Sequence, residues 1–225
     1  MSIESPTDHS VIFINRAHYR AHARQYASIA KGLDRHTLYD KFTACLPTGG
    51  RILDVGCGAG CDSVRLIRRG YHADAIDASA EMVRIANARG AHASLLPVQR
   101  LAVVSAYDGA WASASLLHIP KAEMRGVLLR VFRAVRPGGI LFISLREGRG
   151  EGIQADGRYL AFYSLGEILG ILRPLELAGK ITAFRSMNVR AGRTSRSLWI
   201  YIFVRRRPNP GTTSKIRGTR SSRSI

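Results

Sequence analysis

The sequence predicts one α/β domain, a three-layer sandwich around a seven-stranded, mostly parallel sheet. Three observations carry that expectation. Apolar runs of strand length alternate with stretches whose apolar residues recur every three or four positions, the order in which crossover helices cover a parallel sheet. The first such run, Ile52-Leu53-Asp54-Val55, ends in Gly56-Cys57-Gly58-Ala59-Gly60, a tight turn that feeds a helix. Two carboxylates, Asp54 and Asp77, belong to the first two strands that flank this turn. With 225 residues and 46% hydrophobic content, the chain is long enough for a sizeable core.

Each element follows from its own pattern. Ahead of the first strand, His18, Tyr19, His22, Tyr26 and Ile29 recur at helical spacing across 17–30, and Leu38, Phe42 and Leu46 mark a second helix over 35–45 that Pro47 closes. After the turn, Ser63, Val64, Leu66 and Ile67 suit a helix that stops at Gly70. The second strand is 71–76. Ser79 caps a helix over 80–89, which stops at Gly90. Strands are expected at 93–96, 107–113 and 140–145. Between the last two, Pro120 is the first residue of a helix with Val127, Leu128, Val131, Phe132 and Val135 on its apolar face, ended by Arg136-Pro137-Gly138-Gly139. Residues 146–159 read as a polar, glycine-rich loop at the end of a central strand. Ser164 and Glu167 form a capping box for a helix through Leu172, and 180–186 and 197–204 are the last two strands.

The glycine spacing separates two cofactors. A dinucleotide fingerprint is G-x-G-x-x-G, whereas Gly56, Gly58 and Gly60 give G-x-G-x-G, with Cys61 next. With Asp54 ahead of it, the stretch resembles motif I of the class I S-adenosylmethionine-dependent methyltransferases. That resemblance implies a Rossmann-like fold whose last strand is antiparallel, with S-adenosyl-L-methionine as cofactor and no metal. Asp77, 17 residues after Gly60, is placed to accept hydrogen bonds from ribose hydroxyls. The implied cofactor residues are Asp54, Gly56, Cys57, Gly58, Gly60, Asp77, Ala78, Met82, Val98, Gln99 and Ser113. Pro97 stands where related enzymes carry an acid for the adenine amino group, so backbone, Val98 and Gln99 are left to hold the base.

The same resemblance makes 1–46 a helical lid over the cofactor pocket, 47–204 the methyltransferase domain and 205–225 a disordered basic tail. The stretch DGAWASASLLHIP is similar to the region lining the reactive methyl in small bacterial methyltransferases, including those of tellurite resistance and quinone biosynthesis. His118 within it is read as a packing residue or a general base. Tyr19 and Tyr26 are read as lid residues that reach the ligands or as docking groups for the helix. Arg146, Arg158, Tyr159 and Arg190 are candidates for acceptor binding, the arginines suiting a carboxylate or oxyanion. The expected acceptor is a small molecule of unspecified identity. An RNA-modifying enzyme and a noncatalytic binder of the cofactor are the alternatives.

Composition narrows the classes. Among the 18 net positive charges, seven Lys and Arg fall in 205–225, which contains no acid. Such a tail can attract nucleic acid nonspecifically, or serve as a solubilising extension. The longest apolar runs are far shorter than the roughly 20 residues that span a bilayer. The N-terminal stretch lacks a secretory pattern, and a cytoplasmic monomer or homodimer is expected. Cys45, Cys57 and Cys61 form no C-x-x-C pair, against a disulfide framework or zinc site.

Overall fold

The computed structural model describes residues 8–31, 35–175, 177–189 and 196–208. The seven-stranded sheet is built from β1 (Arg51–Val55), β2 (His72–Asp77), β3 (His92–Leu95), β4 (Tyr107–Ser113), β5 (Val135–Arg146), β8 (Ala178–Val189) and β9 (Arg196–Arg206). A short hairpin, β6 (Glu151–Ile153) with β7 (Tyr159–Ala161), stands apart from it. The helices are α1 (Asp8–Lys31), α2 (His36–Thr43), α3 (Cys61–Arg68), α4 (Ala80–Ala88), α5 (Lys121–Ala134) and α6 (Leu165–Leu172).

Strand order is β3-β2-β1-β4-β5-β9-β8. The first five strands are parallel, and β9 runs antiparallel to both β5 and β8. The order reverses between β1 and β4, which leaves a crevice beyond their C-terminal ends, the usual ligand position in such sheets.

Period-two alternation sorts the core onto the two faces. Leu53, Val55, Ala110, Ala112, Leu141, Ile143, Ile200 and Ile202 pack with Met124, Val127, Leu128 and Val131 of α5 and with Ile168 and Leu172 of α6. Ile52, Trp111, Phe142, Tyr201 and Phe203 point the other way, to Tyr39 and Phe42 of α2 and Leu66 of α3. Trp111 is stacked between Tyr39 and Phe142, with ring centroids 5.0 and 4.0 Å away.

Four expectations change. Pro120 sits just before α5 as its N-cap rather than inside it. Arg136–Gly139 does not separate helix from strand. Pairing with β4 runs from Val135 directly to Ile140, so the four residues bulge within β5. The polar stretch 146–159 is not all loop, because β6 and β7 pair across it. The boundary at 204 is too early, since Arg205 and Arg206 continue β9. Arg206 folds back to donate to the carbonyls of Phe132, Arg133 and Val135. The rest of the expected tail, from 209, lies outside the described residues. Among the described residues, no helix is long and apolar enough to cross a membrane.

Candidate functional site

The glycine turn is held from below. Gly56 and Cys57 both donate their amides to the carbonyl of Ile76, at 2.8 and 3.0 Å, so the turn is clamped onto the end of β2. Gly56 and Gly60 have φ of 69° and 74°, in the left-handed region. A Cβ on Gly56 would lie 2.5 Å from that of Ser115, and one on Gly60 2.8 Å from that of Ala86. A Cβ on Gly58 would meet open space.

Asp77 ties this turn to the next helix. One carboxylate oxygen accepts from Gly58 N at 2.9 Å and the other from Ser79 N at 2.8 Å. Burial pushes its pKa up, and these amides act against that shift. Asp54 lies deeper, 2% exposed, and accepts a 2.5 Å hydrogen bond from Ser63 Oγ. Burial and then the neighbouring Asp62 carboxylate raise its pKa.

A cavity of about 1020 Å³ opens over the ends of these strands. Its floor includes Gly56, Cys57, Gly58, Asp77 and Ala78, and its walls include Met82, Val98, Gln99 and Ser113. Asp54 and Gly60 do not line it. Ser115 does, and its hydroxyl is buried without a hydrogen-bond partner. Gln99 Nε2 donates to Glu123 at 3.1 Å.

The other end of the cavity is formed by α1 and the β6–β7 hairpin. Tyr19, Tyr26, His118, Arg146 and Arg158 all line it. His118 Nδ1 is 3.1 Å from the carbonyl of Tyr159. A carbonyl only accepts, so Nδ1 carries the proton and Nε2 accepts from the Tyr19 hydroxyl at 2.7 Å. Burial lowers the imidazole pKa to about 4 and raises that of the Tyr19 phenol to about 12. Both His118 nitrogens are therefore occupied, on a neutral ring. Arg158 pairs with Asp156 at 2.5 Å and sits over the Tyr26 ring, 5.4 Å from its centroid. Arg146 sits over Phe162 at 5.5 Å.

Tyr159 is not brought to the cavity. Its hydroxyl donates to Glu151 at 2.5 Å, while Asn15 of α1 bonds both its amide, at 3.0 Å, and its carbonyl, at 3.3 Å. Arg190 lies outside the described residues.

Sequence reasoning passed over Asn15 and Asp62, whereas Ser115 lies within the stretch DGAWASASLLHIP that the resemblance set beside the reactive methyl. Asn15 shares its buried face with Val11, Ala23 and Ala27 at multiples of four, and a polar residue on such a face is the signal that was present. Asp62 accepts from Tyr39 at 2.6 Å, Arg35 at 2.9 Å and Trp111 at 2.9 Å. It thereby pins α2 beside the glycine turn.

Comparisons with known proteins bear on the fold. Residues 52–139 match a family described as a methyltransferase domain. The putative methyltransferase YqeM of Bacillus subtilis (strain 168) is 32% identical over 132 residues, 53% of each chain. A ubiquinone biosynthesis O-methyltransferase of Xylella fastidiosa (strain 9a5c) is 30% identical over 105 residues, 43% of this chain and 42% of that one. The chain thus spans about half the length or less of these curated relatives. Among solved structures, the fold is similar to that of Burkholderia thailandensis 1,6-didemethyltoxoflavin-N1-methyltransferase, which holds 1,6-didemethyltoxoflavin and S-adenosylhomocysteine. The TM-score is 0.71 at 19% identity, over 92% of this chain and 93% of that one. Magnesium protoporphyrin IX methyltransferase of Synechocystis PCC 6803, with bound S-adenosylmethionine, gives 0.66 at 18%, over 91% and 100%.

Proposed function

We propose that the chain carries a class I S-adenosylmethionine-dependent methyltransferase domain and, from that premise, that it methylates a small-molecule acceptor. The observation that carries the reading is one cavity shared by the glycine turn with Asp77 at one end and by Tyr19, His118 and Arg158 at the other. The residues present fit the cofactor. Gly58 opens on empty space, and Ser115 offers a buried hydroxyl still lacking a partner.

In this reading, Asp77 accepts from the ribose hydroxyls. Gly56, Cys57, Gly58, Ser113 and Ser115 surround the amino-acid end, and Ala78, Met82, Val98 and Gln99 surround the base. Asp54 acts from beneath, through Ser63, and Gly60 by letting α4 approach. When bound, the cofactor supplies a methyl group already activated by a sulfonium. What remains for the chain is to align the acceptor and exclude water. The α1–α2 segment is the lid that does so.

His118 is not a base here. Its Nδ1 is committed to a carbonyl and its Nε2 to Tyr19, so it is a positioning residue for the tyrosine. The acceptor accordingly arrives with its own lone pair available, as an unprotonated nitrogen, an ionised acidic hydroxyl or a carboxylate. Tyr19, Tyr26, Arg146 and Arg158 contact it. Tyr159 contributes through its backbone, by holding α1 and His118.

Calorimetric titration with S-adenosylmethionine, S-adenosylhomocysteine and NAD tests the premise. Binding of the two sulfur ligands and none of NAD is expected, whereas NAD binding, or no binding at all, overturns it. Asp77→Ala removes charged hydrogen-bond acceptors and weakens cofactor binding by about 50-fold or more. Unchanged affinity in the same titration removes Asp77 from the site.

A further inference from the structure

At the β3 end of the cavity the wall consists of Leu96, Val98 and Gln99, and only Gln99 brings a polar side chain. The segment is tied to the cofactor floor, because Leu96 N donates to the carbonyl of Asp77 at 2.9 Å. A nucleoside whose ribose rests on Asp77 therefore places its base against Val98 and Gln99.

Gln99 does not choose its own orientation. Its partner Glu123, in the first turn of α5, is a carboxylate and can only accept. The Nε2 arm must face Glu123, which leaves Oε1 as the atom that Gln99 offers to the cavity. Glu123 has little other occupation. Its second oxygen is buried without a partner, an arrangement that costs stability unless the position serves something else.

We propose that Glu123 locks Gln99 as a hydrogen-bond acceptor for the 6-amino group of the purine, so that the pair discriminates adenine from 6-oxopurines. The inference rests on the methyltransferase reading and concerns the base alone. Glu123 is a positioning residue, acting through Gln99.

The test is calorimetric titration of the whole chain, wild type, Glu123→Gln and Gln99→Leu, with S-adenosylhomocysteine and with its 6-oxo (hypoxanthine) analogue. Wild type should prefer the amino ligand by about tenfold or more, since a 6-oxo group sets acceptor against acceptor. In Glu123→Gln the partner can donate as well as accept, the Gln99 amide can turn, and the preference should fall toward unity. Gln99→Leu should lose the preference without passing through Glu123, which keeps the proposal testable if the first variant folds poorly. Equal binding of the two ligands by wild type overturns the proposal and leaves the methyltransferase reading standing. A full preference retained in Glu123→Gln overturns the positioning role. Binding of neither ligand by wild type overturns that reading and the proposal with it.

Discussion

A carboxylate buried beside a second carboxylate opposes the fold that holds it, and Asp54 is so placed. Its folded-state pKa lies above the ordinary 3.8, so the folded chain binds that proton more tightly than the unfolded chain. The stabilisation is complete in acid and disappears as pH rises from about 4 through the raised folded value. Asp54→Asn, which can still accept from Ser63, should therefore stabilise the ligand-free protein near pH 7 by about 1–2 kcal/mol and flatten its pH dependence. Thermal unfolding across pH checks this, and a lower midpoint at pH 7 would show that the charge itself is stabilising. His118 makes a kinetic prediction. With its imidazole lowered to about 4 and both nitrogens engaged, kcat/KM should show no limb at the ordinary histidine value near 6.5. A limb there that His118→Asn abolishes would restore it as a base. These residues differ in how far the sequence disclosed them. Asp54, Asp77 and the glycines are legible because their meaning lies in a short local pattern. Asp62 was not, because the hydrogen bonds that fix it come from Arg35, Tyr39 and Trp111, distant in sequence, and only the longer ion pair with Arg65 is local.

At the scale of elements, the cavity is closed by few bonds. Asn15 grips the backbone of Tyr159 from both sides, much as a neighbouring strand would, and so fastens α1 to β7. Asn15→Leu leaves the buried Tyr159 amide without its acceptor and should cost about 2 kcal/mol. The loss should appear in denaturant unfolding, with faster hydrogen exchange in α1 and faster cofactor release. Unchanged exchange in α1 would mean that its aromatic contacts suffice. Helix α1 leaves helical geometry at His22, with φ −115° and ψ 17°, so the half carrying Asn15 and Tyr19 is set at its own angle over the site. The continuous spacing of apolar and aromatic residues through 17–30 gave no sign of this. Capping chemistry was more faithful. Ser79 and the Ser164–Glu167 box start α4 and α6 where the sequence placed them, because a cap is satisfied within three residues. The β6–β7 hairpin was hidden for the opposite reason, since its strands are three residues each, too short for alternation to register.

For the molecule as a whole, the question is whether its 18 net positive charges serve the chemistry. Arg206 and Arg207 are spent internally, on carbonyls of the α5–β5 junction and of Leu177 and Ala178, the latter two through the Arg207 amide and side chain. Removing residues 209–225 should leave turnover within about twofold and little changed by salt. A steep fall in both would favour an RNA acceptor instead. Cutting after 204 is a different experiment, because it removes the end of β9. The sheet order itself was legible only in outline: alternation of strands and helices implies parallel neighbours, but the seating of β9 between β5 and β8 is decided by long-range pairing. That seating also sets a schedule for synthesis. Ile140, Leu141, Phe142 and Ile143 of β5 stay without their outer neighbour until the ribosome has made residues 196–206. The nascent chain thus holds an apolar strand edge open across some fifty residues of translation, and any chaperone that attends it has that edge to cover.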